Sequence, residues 1–424
     1  MSNYHSIAVK EDKCVGCVVC MKACPTNAIR VKEGKAVILD ERCIDCGVCL
    51  WACPKQAIIP LTTAYLDLMY KFKYNIAMPS PALYSQFGKD VLPNKILLGL
   101  ERLGFDYVYD VAWTCEMTTA AIRYYLENLK GQDERRPKIS STCPAVVRLI
   151  QVRFPELTDL IIPIDAPREL AAKALKDRIS NKLDLSTEEI GVIYITPCPS
   201  KMISINNPPT REKSYFDGAI AISDIYGSLL SYLRDLEEDT VLQQSSGVGI
   251  GWAVSEGVVN GLGLDNCLAV AGIENVNKML EDIESYKLKN IEYLECHACP
   301  LGCVSGPLTV ENQYLAKSKI SRLIKMFGEQ SRVIDEAILQ LWEEGYFSSE
   351  KKVAPTPIPP LDREPRVAIE KMKEREEIIK QLEGKECGAC GAPDCQTLAE
   401  DIVQGKAEIT DCVFRLIEKA GVRV

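Results

Sequence analysis

Histidine is almost missing from this chain: His5 and His297 are the two among 424 residues. Zinc sites of mixed Cys/His type are therefore nearly excluded. Also missing is any run of about 18 apolar residues, the minimum for a bilayer-spanning helix. Positive charge is in deficit, with 50 Lys and Arg against 59 Asp and Glu and a formal net charge of −9. That balance argues against a nucleic-acid surface or one for anionic membranes, since either wants a basic face. The opening stretch, Met1 to Asp12, is polar and mixed in charge, without the apolar centre of a signal peptide, so a cytoplasmic location is expected. What is abundant is cysteine, nineteen in all. Disulfides do not persist in a reducing cytosol, so this usage points to bound metal. With 47% apolar residues the chain has enough to bury for two or three domains.

Sixteen of the nineteen cysteines fall into ligand-like sets, leaving Cys115, Cys267 and Cys296 over. The first eight form an internal repeat. Cys14-Val-Gly-Cys17-Val-Val-Cys20-Met-Lys-Ala-Cys24-Pro25 returns as Cys43-Ile-Asp-Cys46-Gly-Val-Cys49-Leu-Trp-Ala-Cys53-Pro54, with the similar tails Asn27-Ala28-Ile29 and Gln56-Ala57-Ile58. The spacing C-x2-C-x2-C-x3-C-P lets three thiolates wrap one cubane while the fourth reaches the other. Cys14, Cys17, Cys20 and Cys53 are thus expected to hold one [4Fe-4S] cluster, and Cys43, Cys46, Cys49 and Cys24 the second. Paired zinc knuckles are the alternative, but zinc does not need the interlock. The expected role is electron transfer.

From about residue 63 to 350 the pattern changes to short apolar strands alternating with amphipathic helices, an α/β arrangement of parallel lobes whose sites form at the carboxyl ends of strands. Asn75 to Met78 and Ile190 to Ile195 read as buried strands, Leu97 to Leu103 and Thr118 to Leu129 as helices. Val353-Ala-Pro-Thr-Pro-Ile-Pro-Pro360 reads as a stiff extended linker. Beyond it Arg366 to Leu382 has helical spacing, and two short helices are expected around Thr397 to Val403 and Val413 to Lys419. The division expected is a bacterial-ferredoxin-like domain over residues 1–62, an active-site domain over 63–350, a linker over 351–365 and a small helical iron–sulfur domain over 366–424.

Four cysteines of the central domain lie far apart, each at a strand end or sharp loop: Cys143 in Ser140-Ser141-Thr142-Cys143-Pro144, Cys198 in Thr196-Pro197-Cys198-Pro199-Ser200-Lys201, and Cys299 and Cys303 in Glu295-Cys296-His297-Ala298-Cys299-Pro300-Leu301-Gly302-Cys303. Buried structural cysteines are the bland alternative. The upstream clusters, ready to serve as a relay, favour metal.

In these three segments the chain resembles the catalytic domain of the [FeFe] hydrogenases, whose motifs T-S-C-C-P, M-P-C-x-x-K and E-x-x-x-C-x-x-x-C occur in this order. The likeness runs over about residues 63 to 310 and includes Ser80-Pro81-Ala82 and Ser246-Gly-Val-Gly-Ile-Gly-Trp252. It implies an H-cluster, a [4Fe-4S] cubane joined through one cysteine to a diiron unit carrying CO, cyanide and an azadithiolate. By this resemblance Cys143, Cys198, Cys299 and Cys303 hold the cubane, Cys303 also bridges to the diiron unit, and Lys201 donates to a cyanide ligand. An ammonium beside anionic ligands forms a strong charge-assisted bond, which makes a buried lysine tolerable there.

The chain departs from the family pattern where protons should move. Thr142 stands in place of the proton-passing cysteine and Ser204 in place of the next acid; Thr196 and His297 replace methionines. A hydroxyl hydrogen-bonds but does not readily store and release a proton. Such replacements resemble sensory or low-activity branches of the family. A substitute relay through Glu256, Glu295, His297 and Cys296 is one expectation; that Glu256 and Glu295 are structural hydrogen-bond partners is the other. Cys115 and Cys267 read as small core residues.

The last four cysteines, Cys387, Cys390, Cys395 and Cys412, have the spacing C-x2-C-x4-C-x16-C. They resemble the small [4Fe-4S] domain of corrinoid iron–sulfur proteins and of some membrane electron-transfer subunits, with zinc as the alternative. Placed after a stiff linker, this module reads as an output or docking unit, with Arg366 to Leu382 as a candidate partner helix.

The leading expectation is a protein that binds H2 and slowly interconverts it with protons and electrons, as a hydrogen or redox sensor. No kinase, phosphatase or DNA-binding segment is present up to Val424, so the expected partners are a redox protein and a separate signalling kinase or phosphatase. The alternatives are a competent hydrogenase with another proton path and a multi-cluster electron carrier lacking the diiron unit.

Overall fold

The computed structural model describes residues 5–129, 137–288 and 290–419. The chain forms two compact units, one of Met1–Pro60 with Thr356–Val424 and one of Leu61–Pro355.

In the larger unit, β5 (Tyr74–Pro79), β6 (Tyr107–Val108), β8 (Ile190–Thr196) and β9 (Gly218–Ala221) form a parallel sheet in the order β6-β5-β8-β9. A second parallel sheet has β7 (Lys138–Ile139), β10 (Cys267–Ala271) and β11 (Tyr293–His297) in the order β10-β11-β7. Every residue of β8 is buried, as the continuous apolar run requires of a strand covered on both faces. Its period of two splits the core. Ile190, Val192 and Tyr194 join Ile76 and Met78 in one cluster; Ile193 and Ile195 join Ala77 and Ile220 in another. Each fully buried isoleucine contributes roughly 1.5–3 kcal/mol by leaving water.

The strands expected at Asn75 and Ile190 are present. Two helices begin earlier than their periodicity implied. One runs Pro93–Arg102 because Pro93 takes the first helical position. The other runs Val111–Leu129, and its first turns hide because the polar Thr114, Glu116, Thr118 and Thr119 are buried with the apolar residues. Among the described residues no helix is long and apolar enough to cross a membrane.

In the smaller unit, β1 (Ile7–Val9) pairs antiparallel with β4 (Ile58–Pro60). A hairpin joins β2 (Ile29–Lys32) to β3 (Lys35–Ile38); its turn residues Glu33 and Gly34 both have positive φ, the two-residue turn that matches strand twist. The helices Val19–Lys22 and Val48–Ala52 occupy equivalent places in the two repeats. The C-terminal part has helices Pro365–Gln381, Cys395–Val403 and Val413–Lys419, packed around Ile378, Leu382, Leu398 and Val403.

Candidate functional site

The central cysteines all follow strands of the two parallel sheets, at their carboxyl ends. Cys143 comes after β7 and caps helix Pro144–Arg153; Cys198 comes after β8 and caps helix Pro199–Asn206. Each is followed by proline at the first helical turn, which explains the repeated Cys-Pro pair. A thiolate there also faces the positive end of the helix dipole. Thr196 shapes the second turn: its hydroxyl donates to the Cys198 carbonyl (2.8 Å) and accepts from the Cys198 amide (3.3 Å).

Cys299 and Cys303 lie on the loop after β11, which glycine makes possible. Gly302 has φ +86°, and a Cβ there would stand 2.5 Å from the Ser255 nitrogen. The Val304 amide donates to Ala253 O and the Leu308 amide to Pro197 O, each at 2.9 Å. The loop is thereby clamped between the Gly-rich segment and the residues next to Cys198.

The four thiols converge. Burial pushes Cys299 well above its usual range, and Cys198, Cys143 and Cys303 add to the shift; burial raises Cys198 as well. Cys303 goes the other way: burial opposes ionisation, but Lys201 and His297 outweigh it and bring the thiol down to about 6. Crowded thiols that repel as anions, one of them already ionised at neutral pH, are a donor set completed by a cationic iron–sulfur core. The residues fit the group.

Above Cys143 and Cys303 lies a cavity walled by Val111, Tyr194 and Trp252. Lys201 reaches it, with Nζ 3.5 Å from Cys303 Sγ and 3.7 Å from Cys198 Sγ. Burial works against its charge, but the neighbouring thiolates dominate and hold its pKa well above the usual lysine value. Thr142 lines the cavity too, and its hydroxyl accepts from Ser140 Oγ at 3.0 Å. His297 lines it and pairs with Glu295 (Nε2 to Oε1, 2.7 Å). Burial again opposes the charge, yet Cys303 and Glu295 raise His297 to about 10. The other Glu295 oxygen accepts from the Val259 amide at 3.0 Å.

Of the expected relay members, His297 lines this cavity and Glu295 reaches it through His297, while Glu256 and Cys296 are not brought to it. Glu256 is exposed, at the start of helix Gly257–Leu262 with φ +75°. Cys296 is buried but faces away, because alternation along β11 sends Glu295 and His297 to one face and Cys296 to the other.

Cys115 lines the cavity, one helical turn from Val111, and is buried in the hydrophobic core as expected of a lone cysteine. Another cavity residue, Arg168, escaped the sequence reading. It lines the cavity from the first turn of helix Pro167–Leu183. Arg168 is 6% exposed. Its Nη2 donates to Ser204 Oγ at 2.8 Å, and its Nε has no partner among the described residues. Arg168 lies in no motif, so only its burial reveals it. Cys267 is half-buried on β10 and lines no part of the cavity.

The other cysteine sets also gather. Cys14, Cys17, Cys20 and Cys53 line one cavity. In the second set, burial raises Cys46 to about 12, with Cys24 adding to the shift. Cys387, Cys390, Cys395 and Cys412 line a third cavity. His5 is committed to Asp45 (3.0 Å), whose other oxygen accepts from the Ser6 amide and hydroxyl.

Parallel sheets with cysteines at the strand ends, together with ferredoxin-type cysteine sets, define an iron–sulfur oxidoreductase. The model for "Iron only hydrogenase large subunit, C-terminal domain" matches residues 73–265 and 256–307, more than half of the chain. The chain belongs to the iron-only hydrogenase family. A 4Fe-4S dicluster domain model matches residues 6–54, and an Fe-S cluster model matches residues 382–414. The periplasmic [Fe] hydrogenase large subunit of Nitratidesulfovibrio vulgaris is 26% identical over 364 residues, covering 71% of this chain and 86% of its own. Iron hydrogenase 1 of Clostridium pasteurianum is 26% identical over 213 residues, 48% of this chain and 36% of its own. Among solved structures, an apo variant of [FeFe]-hydrogenase HydA1 from Chlamydomonas reinhardtii shares the fold with TM-score 0.56 and 14% identity, over 70% of this chain and all of that one.

Proposed function

We propose that Cys143, Cys198, Cys299 and Cys303 hold the cubane of an H-cluster, and that the chain binds and slowly interconverts H2 as a hydrogen or redox sensor. One observation carries the reading. Lys201 and Arg168, both buried, line one cavity beside Cys143 and Cys303 with no carboxylate at ion-pair distance among the described residues. Buried cations are stable only opposite negative charge. The thiolates and the buried Glu169 supply part of it, and a diiron unit with cyanide ligands would supply the rest. When bound, that unit provides the metal at which hydrogen is formed or split.

The protein residues position and insulate. Lys201 and Arg168 would donate to anionic ligands of the bound unit, while Val111, Tyr194 and Trp252 wall the cavity against water. Thr142, already tied to Ser140, offers a hydroxyl where a titrating group would speed proton exchange, which supports slow turnover. The ferredoxin-type sets would hold two [4Fe-4S] clusters and the C-terminal set a third, exchanging electrons with a redox partner and, through it, a signalling kinase or phosphatase. The test is an infrared spectrum of anaerobic protein loaded with a synthetic diiron precursor. Sharp CO and cyanide bands that shift under H2 are expected. Their absence with intact clusters would leave a multi-cluster electron carrier.

A second reading, a competent hydrogenase with its own proton path, is favoured by the buried Glu295–His297 pair. A proton held at His297 Nε2 faces Glu295 Oε1 directly. Glu295→Gln and His297→Gln should then lower H2 evolution by about 10²-fold, the usual scale for a lost general acid or base. Unchanged rates in protein with normal infrared bands would sink it.

A further inference from the structure

The third cysteine set is built against the first ferredoxin repeat. Asp401, on helix Cys395–Val403, accepts two hydrogen bonds from Arg30, Nε to Oδ2 at 2.6 Å and Nη2 to Oδ1 at 3.2 Å, and Arg30 is 2% exposed. Asn27 Nδ2 donates to Asp394 at 2.8 Å, and Arg42 pairs with Glu400. Lys22 Nζ donates to the carbonyls of Glu386 and Pro393, tying the two ends of the loop that carries Cys387 and Cys390. The Val31 amide donates to Gly391 O at 2.9 Å. Gly391 has φ +83°, and a Cβ there would sit 2.0 Å from Val31 O. Gly388, next to Cys387, is packed so that an added Cβ would lie 3.1 Å from Met21 Cε. Met21 is fully buried and stands between Cys20 and Cys24, which belong to different N-terminal sets.

Apart from Arg42, which adjoins Cys43 of the second copy, these contacts come from the first repeat. Lys22, Asn27 and Arg30 correspond to Trp51, Gln56 and Ile59 in the second copy, and Trp51 stands 49% exposed. A bidentate pair buried this deeply and a glycine pressed on backbone describe a fixed seat rather than a swinging module.

We propose that the C-terminal cluster is a fixed third station of the N-terminal electron chain, exchanging single electrons with the ferredoxin clusters across the Met21–Gly388 contact. Each transfer reduces one [4Fe-4S] core by the electron its neighbour loses, so no further reagent is needed. The proposal stands apart from the diiron reading and requires only the iron–sulfur clusters.

The test is a potentiometric EPR titration of the full-length chain carrying its iron–sulfur clusters, with a Cys412→Ser variant to assign the C-terminal signal. In the wild-type chain that signal should broaden and relax faster as the ferredoxin clusters become paramagnetic. Arg30→Met with Asp401→Leu, which removes the pair without stranding a charge, should sharpen it at unchanged iron content. A wild-type C-terminal signal that stays narrow through full reduction would overturn the proposal, whatever the variants do. So would a double variant with all clusters present and undiminished broadening.

Discussion

Arg168→Met should empty the diiron site nearly as effectively as Lys201→Met. Each guanidinium or ammonium bond to an anionic ligand contributes about 2 kcal/mol when desolvated, and every 1.4 kcal/mol is tenfold in affinity. One lost bond therefore costs roughly 30-fold in retention. The readout is the intensity of the CO and cyanide infrared bands against iron content after gel filtration. Lys201→Met has a second consequence, because the ammonium stands 3.5 Å from Cys303 Sγ and is the largest force keeping that thiol ionised against burial. Arg168→Met leaves this contact intact and removes only the donor to Ser204 Oγ, which still donates to the Lys201 carbonyl at 2.9 Å. Arg168→Lys should restore most of the bands. If Arg168→Met kept full band intensity at wild-type positions, the guanidinium would be no part of the site.

The other large effect is expected from Thr142→Cys. The side chain at this position lines the cavity beside Cys143, and Thr142 Oγ1 accepts from Ser140. A thiol in its place titrates in a range that a hydroxyl does not reach, and a positioned general acid is worth 10² to 10⁴ in rate. H2 evolution by the loaded protein should rise on the order of 10²-fold. Combining it with Ser204→Glu should raise it further, since the new carboxylate would meet Arg168, which now holds Ser204 at 2.8 Å. An unchanged rate in Thr142→Cys, with the infrared bands in place, would show that the slow step lies elsewhere.

The clearest features of the sequence were those written in short spacings. Cysteine ligands separated by two or three residues wrap a single centre, so the ferredoxin repeat, including the crossing of Cys24 and Cys53, was legible as a pattern. Lys201 was legible because it lies one helical turn after Cys198. The strand ends were legible because an apolar run that stops at a Cys-Pro pair ends a buried strand and opens a helix. Glu256 misled for a related reason: it adjoins the Gly-rich segment, but its positive φ turns it to solvent.

Arg168 and the Arg30–Asp401 pair were not legible. Arg168 lies 30 residues or more from Lys201 and Ser204, and its meaning comes from burial at the cavity with no carboxylate at ion-pair distance among the described residues. Arg30 and Asp401 are 371 residues apart, and an arginine in a ferredoxin repeat reads as a surface charge until its partner is known. The sequence by itself determined which atoms can bind metal and how neighbouring ligands are grouped, because covalent spacing limits their reach. Only the tertiary structure decided which charges are buried together and which cluster stands against which, because burial and long-range pairing are set by packing and not by the spacing of residues along the chain.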